Sequence, residues 1–243
     1  NPVVGCIKSW DSKGEDFLVI IDNMMNLELL FQATRMTGDS SFHKLAITHA
    51  NTTIKNHFRA DNSSYHVLNY HPVTGDIQEK KTAQGAGNES AWARGQAWGL
   101  YGYTETYRET KDPQYLQQAL RIADFMLAHP NLPPDKIPYW DYNAPGIPNA
   151  LRDASAAAIL AAALIELSGY VDRARSKNYF ETAETILRSL SSPTYKAAHG
   201  TNGGFIIKHC VGHMPNRTEI DVPLTYADYY FIEAMKRYKE LNK

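Results

Sequence analysis

The stretch TKDPQYLQQA, residues 110–119, decides the fold class, because it recurs in degenerate form at two other places. In each copy a polar turn is followed by an aromatic residue and then by an alanine four positions later. The other copies begin at Thr37 and Ser176, and the aromatic residues are 73 and 64 positions apart. Repeats on that scale are typical of stacked helical hairpins, since one hairpin cannot bury its apolar face alone.

Outward from these repeats, apolar residues recur at three- and four-residue steps in seven segments, which predicts seven helices. In the long connections between them, residues 64–70 alternate in polarity and predict a short strand, and we expect another over 203–209. The sequence therefore predicts an all-α chain of helical hairpins, a ring or solenoid with short β pieces in its rim loops. The predicted helices are 22–37, 41–59, 92–110, 113–129, 152–168, 176–191 and 224–241.

An odd number of helices leaves one without a hairpin partner. Seven make three hairpins and one single helix, which would expose an apolar edge. We therefore expect further helices before Asn1, and we expect 1–243 to be a single domain that is incomplete at its N-terminus.

Composition argues against several classes of partner. The net charge of −1 gives no basic field of the kind that nucleic-acid binders carry. No apolar run approaches the roughly 20 residues that a membrane span needs. Cys6 and Cys210 are too few and too far apart for a disulfide framework, so free thiols are predicted. The histidines show no metal-ligand spacing, and we predict neither a metal nor another cofactor.

Asp22 ends the apolar run that starts at Phe17, and it stands where a helix is predicted to begin. It could be an N-cap that accepts hydrogen bonds from the first turn. Alternatively, a desolvated carboxyl among apolar and Met side chains would have a raised pKa and could act as a general acid.

Arg94 and Trp98 stand four residues apart on a predicted helix and so share one face. A guanidinium beside an indole suits a uronic acid, because the fork pairs with the carboxylate and the ring stacks on the sugar. The alternative is a buried arginine satisfied by a structural carboxylate. Gly95, Gly99 and Gly102 on the same helix suggest close helix packing.

Two further positions have structural alternatives of their own. His66 lies on the predicted strand 64–70, and lone histidines in such positions are mostly structural. Asp153 and Ser155 precede an alanine-rich run, so that one of them is expected to cap a helix.

Taken together, six motifs resemble the unsaturated glucuronyl hydrolases, family 88 of the glycoside hydrolases, and the similarity runs from Trp10 to Tyr230. Their order and spacing over nearly the whole chain make the resemblance specific. The motifs are IIDNMMNLE (20–28), SSYHV (63–67), QG (84–85), AWARGQAW (91–98), PYWD (138–141) and RDASAAA (152–158).

The resemblance implies an (α/α)6 barrel of six hairpins, so that five helices would precede Asn1. It also implies that Asp22 is the acid/base aspartate of the family, and that the substrate contacts are His66, Gln84, Arg94 and Trp98, with Trp10 as a further aromatic wall. The family carries a second aspartate in a His-Asp-x-Gly-Phe stretch that this sequence lacks. The chain would then be a fragment, would be completed by another chain, or would be inactive.

By the same resemblance, the substrate is an oligosaccharide left by a polysaccharide lyase, whose terminal uronic acid has a C4=C5 double bond. The implied reaction hydrates this bond and releases the unsaturated glucuronic acid. Two alternatives remain at this point: an unsaturated rhamnogalacturonyl hydrolase, and an inactive toroid that only binds carbohydrate. We expect a monomer or homodimer in the bacterial periplasm or cytoplasm, without a nucleic-acid or membrane partner.

Overall fold

The computed structural model describes residues 1–11 and 16–241, and all seven predicted helices are present in it. A 3₁₀ helix, Ile21–Asn26, precedes the first of them and takes up the start of the predicted segment 22–37. The predicted all-α class is therefore confirmed. The helices are α1 (Leu27–Thr37), α2 (Ser40–His57), α3 (Ala93–Thr110), α4 (Pro113–Ala128), α5 (Ala154–Ser168), α6 (Arg173–Leu190) and α7 (Thr225–Leu241).

Five short strands lie in the connections. They are β1 (Phe17–Ile20), β2 (Val67–Tyr70), β3 (Ile77–Lys81), β4 (Cys210–His213) and β5 (Thr218–Val222). The strand predicted over 64–70 is confirmed in its second half, whereas the strand predicted over 203–209 is wrong. Gly203 and Gly204 have φ values of +62° and +91°, outside the extended region, so the chain forms a short 3₁₀ turn there instead.

The second helix of each hairpin begins at an aspartate. The carboxylates of Asp39, Asp112 and Asp172 accept hydrogen bonds from backbone N–H groups two residues later, at 2.8–3.0 Å. The third helix start was predicted too late, because α6 begins at Arg173 with Asp172 as its N-cap. In the first two copies the repeated polar turn therefore contains the N-cap, whose carboxylate accepts hydrogen bonds from the free N–H groups of the first turn.

By its contacts the described chain divides into two compact units, and the prediction of a single domain stays a prediction. The first unit comprises residues 1–83, 87–89 and 98–125. Its sheet has the order β1-β2-β3, with both pairs antiparallel, and α1 packs on α2. A Cβ at Gly102 would lie 2.5 Å from the backbone carbon of Met24, so α3 touches the 3₁₀ helix backbone, as its glycines suggest.

The second unit comprises residues 84–86 and 90–97 and the chain from Met126 onwards. Here α5 packs against both α6 and α7. Every residue of α5 except Glu166 is buried, and Glu166 forms an ion pair with Arg237 at 2.8 Å. A helix that is apolar all round has to be enclosed by its neighbours, which explains the alanine-rich run.

Both cysteines are free and buried, as predicted. Burial raises the pKa of the Cys6 thiol to about 12, and it raises that of Cys210 further. Thiols in such surroundings are chemically inert. Within the described residues, no helix is long and apolar enough to cross a membrane.

Candidate active site

Asp22 and His66 lie together in the first unit, at the end of the β1–β2 ladder. The ladder pairs Ile20 with Val67, and one position further the N–H of Ile21 donates to the carbonyl of His66 at 3.0 Å. This register brings the carboxylate atom Oδ2 of Asp22 within 3.5 Å of His66 Nε2. The imidazole is 1% exposed and the Asp22 side chain 19% exposed, so the carboxyl is within reach of a ligand while the imidazole is enclosed.

The tautomer of His66 follows from its second contact. Its Nδ1 accepts the backbone N–H of Ala83 at 3.2 Å, so in the neutral ring the proton sits on Nε2. That N–H faces the carboxylate of Asp22. At 3.5 Å this contact is longer than an ordinary hydrogen bond, so the two atoms can still move closer together.

Asp22 is not a helix N-cap. The cap position of the 3₁₀ helix is Ile20 and that of α1 is Asn26, and neither helix start has a side-chain cap hydrogen bond. Asp22 lies one residue inside the 3₁₀ helix, so this structural alternative for the carboxylate is excluded.

Trp10 is held near this turn by its neighbour Ser9. The Ser9 hydroxyl accepts hydrogen bonds from the N–H of Ile20 and from the amide of Asn23, both at 2.9 Å, on either side of Asp22 in the chain. Trp10 itself is 40% exposed. An indole with that much free surface can lie against a sugar ring.

Arg94 lies in the second unit and is 3% exposed. Its Nη1 donates to Asp153 Oδ2 at 2.9 Å and to the carbonyl of Val211 at 2.6 Å, and its Nη2 donates to the carbonyl of Gly212 at 2.7 Å. The rings over its guanidinium are those of Trp92 and Tyr226. These contacts match the alternative of a buried arginine satisfied by a structural carboxylate, and a direct bond to substrate stays a prediction.

Gln84 joins the same group, since its amide nitrogen donates to the carbonyl of Gly212 at 2.7 Å. Two side chains predicted as substrate contacts thus share one acceptor on β4. Trp98, one helical turn after Arg94, is 6% exposed and belongs to the first unit. The roles of Gln84 and Trp98 in substrate binding stay predictions.

Two aspartates in the second unit accept hydrogen bonds that were not predicted from the sequence. Asp153 is fully buried and caps α5 through the N–H of Ser155, which settles the choice between these two residues, while its other oxygen receives Arg94. Asp141 is also fully buried and accepts from the N–H of Ala86 and the hydroxyl of Ser90. In the sequence, both aspartates stand next to apolar residues. A carboxylate that is buried among such residues needs buried hydrogen-bond donors.

Within residues 1–11 and 16–241, no three side chains of the types His, Cys, Asp and Glu are placed to share a metal ion.

Known proteins resemble the chain over its whole length. A curated unsaturated glucuronyl hydrolase of Formosa agariphila is 50% identical over 99% of the chain. A crystal structure of an unsaturated glucuronyl hydrolase specific for heparin covers 100% of the chain with 51% identity and a TM-score of 0.97. A mutant of the Streptococcus agalactiae enzyme, complexed with dGlcA-GalNAc6S, covers 91% with 33% identity and a TM-score of 0.80. No protein-family model matches.

The chain spans 60% of the curated relative and 65% and 59% of the two solved chains. The match extends through α1 to α7, and the solved relatives support the predicted α/α toroid class. In sequence and in fold, the chain is similar to the unsaturated glucuronyl hydrolases over nearly its whole length.

Proposed function

We propose that this protein is a glycosidase that removes a terminal unsaturated glucuronic acid from oligosaccharides produced by polysaccharide lyases. The observation that carries the proposal is the partly exposed carboxyl of Asp22 beside the enclosed imidazole of His66. The relatives support the choice of substrate, because they are named for unsaturated glucuronic acid or for unsaturated chondroitin disaccharides.

The reaction needs one group that first gives and then takes a proton. In the substrate, C4 and C5 form a vinyl ether conjugated to the carboxylate. Asp22 would donate its proton to C4, and the carboxylate so formed would take a proton from the water that attacks C5. The resulting hemiketal opens and releases the sugar beyond the bond. A single carboxyl completes both steps, unlike the paired carboxylates of ordinary glycosidases.

His66 would hold the carboxyl without exchanging protons itself. Its Nε2–H faces Oδ2, an atom that is closed to solvent, so the other oxygen, Oδ1, would serve C4 and the water. An N–H donor stabilises the carboxylate more than the neutral acid, which favours the state formed after the first proton transfer. The bond from Ala83 fixes the tautomer for this role.

The sugar would be held by Trp10, Trp98 and Gln84, as the family resemblance implies. Arg94 would position the carbonyls of Val211 and Gly212, to which it donates. It would bind the substrate directly only if the substrate displaced one of these acceptors. A solved relative binds an unsaturated glucuronyl sugar joined to a sulfated hexosamine, so we propose glycosaminoglycan fragments as the substrate class.

The test is turnover of unsaturated disaccharides by the intact protein, followed by loss of the conjugated chromophore. Asp22→Asn should abolish turnover and keep binding, because the amide preserves shape and lacks the proton. Asp39→Asn is the matched control, since it changes an exposed N-cap for an equally good one. His66→Gln should keep measurable turnover, because the Nε2–H of the glutamine amide can replace the imidazole N–H as donor to Asp22.

Wild-type rates in Asp22→Asn would remove Asp22 from the mechanism. A wild-type protein that turns over no unsaturated glucuronyl or rhamnogalacturonyl substrate, yet binds them, would favour the carbohydrate-binding alternative.

A further inference from the structure

The connection between α6 and β4 forms a cavity of about 850 Å³ in the second unit, and this cavity is open to solvent. All of its lining residues come from residues 191–208. Three of them are basic, namely Lys196, His199 and Lys208, and none is acidic. The protein as a whole has a net charge of −1, so this is a local concentration of positive charge.

Hydrogen-bond donors without a protein acceptor accompany these side chains. Within the described part of the chain, the N–H groups of Ala198, His199 and Gly200 donate to no protein acceptor. The ammonium of Lys208 donates to the carbonyl of Pro193 at 2.8 Å, which holds it in place. Because an ammonium has three donors, two remain for a ligand.

The loop also offers an aromatic surface on a fixed backbone. Phe205 is half-buried in the cavity wall beside Gly203 and Gly204, whose missing side chains leave its surroundings open. Asp228 of α7 accepts the N–H groups of Ile206 and Ile207, both at 2.8 Å. The backbone that carries Phe205 is thus tied to a helix before any ligand arrives.

The structural alternative is a pair of solvated surface lysines. The composition of the lining distinguishes the cavity from that case. Basic side chains and one aromatic ring line a single concave surface, which is the composition that recognises a sugar acid.

We propose that this cavity binds an acidic oligosaccharide, with Lys196 and Lys208 pairing with a sulfate or carboxylate and Phe205 lying against a sugar ring. The site deepens the proposed function, on which it rests for the choice of sugar. It requires no catalytic step, so it can be tested without turnover.

The experiment is calorimetric titration of the intact protein with a saturated heparin tetrasaccharide, which has no C4=C5 bond to hydrate. A saturated hyaluronan tetrasaccharide, with carboxylates but no sulfate, and neutral cellotetraose are the comparison ligands. The variants are Lys196→Ala/Lys208→Ala and Phe205→Leu. The control removes the same charge from exposed helix positions, as Lys177→Ala/Lys236→Ala.

We expect the double variant to bind the heparin tetrasaccharide at least ten-fold more weakly and with a smaller salt dependence. Phe205→Leu should weaken binding with the salt dependence unchanged, because it removes only the ring. The control should bind like the wild type. If hyaluronan binds as tightly as heparin, the recognised group is the carboxylate, and if it binds much more weakly, the group is the sulfate.

Equal affinity in the wild type and the Lys196/Lys208 variant would overturn the proposal. So would an equal loss in the control, or cellotetraose binding as tightly as heparin. Turnover of an unsaturated disaccharide is measured separately, so its absence in the wild type would refute the proposed function and leave the binding result standing. Unfolding midpoints equal to that of the wild type show that the variants are folded.

Discussion

Replacing Arg94 by lysine separates two roles that have different energetic consequences. The guanidinium makes three short bonds, to Asp153, Val211 and Gly212, at 2.6–2.9 Å. Lysine keeps the charge but reaches only one of these directions at a time. Two buried acceptors then lose a charged donor, at about 1.5–3 kcal/mol each. We therefore expect the free energy of unfolding to fall by about 3 kcal/mol or more.

The assay is urea unfolding of the intact protein, combined with the Michaelis constant for an unsaturated disaccharide. Arg188→Lys is the matched control, because that guanidinium is 76% exposed and pairs with Glu184 on its own helix. Exposed pairs of this kind contribute roughly 0–1 kcal/mol. The control should therefore unfold at nearly the wild-type urea concentration.

The refuting result is specific. If Arg94 is chiefly a receptor for the substrate carboxylate, Arg94→Lys should raise the Michaelis constant ten-fold or more with unchanged stability. That combination would contradict the structural role. A large loss of stability with nearly unchanged kinetics in the folded fraction would confirm it.

Three further outcomes are expected. Gly102→Ala should lower the free energy of unfolding by about 1–3 kcal/mol, because its Cβ would lie 2.5 Å from the Met24 backbone, and a thermal melt measures this. Trp10→Ala should raise the Michaelis constant and leave stability unchanged, whereas Trp10→Phe should restore binding in part. Burial lowers the pKa of His49 to about 4 and that of His57 to about 3. As the pH falls from about 6.5 towards 4, the unfolded chain therefore binds protons that the buried imidazoles do not, and stability falls. Urea unfolding at pH 7 and 5 tests this, and His57→Gln, which keeps an Nε2–H for the Val19 carbonyl, should flatten the dependence.

The helices could be predicted from sequence because the information is local. Three- and four-residue periodicity placed every helix, and the aspartate caps of α2 and α4 stand beside the repeat that was recognised. The start of α6 was missed because its cap, Asp172, lies four residues before the polar turn chosen as the signal. The strand prediction over 203–209 failed because two glycines adopt positive φ values, although the Phe205, Ile206 and Ile207 that follow them favour a strand.

The site could be predicted only as a set of residues. The contact between Asp22 and His66 depends on strand register, which local pattern does not determine. The partners of Arg94 are 59 and 117–118 positions away in the chain, so neither helical spacing nor composition could choose between a substrate and a buried aspartate. The motif around Arg94 left two roles open, and these differ only in contacts to residues far away in the chain.

A short strand pair positions Asp22. Contacts between this strand pair and α2 connect the candidate active site to that helix. The ladder that carries Asp22 has only four residue pairs, between β1 and β2. The last residue of α2 contacts β1 and the segment just before β2, since the His57 ring contacts the Val19 carbonyl at 3.3 Å and its backbone carbonyl accepts the N–H of Tyr65. Because His57 is fully buried and kept neutral, its protonation would disturb β1 and the segment just before β2. Substitutions at His57 should therefore change turnover through the distance between Asp22 and His66.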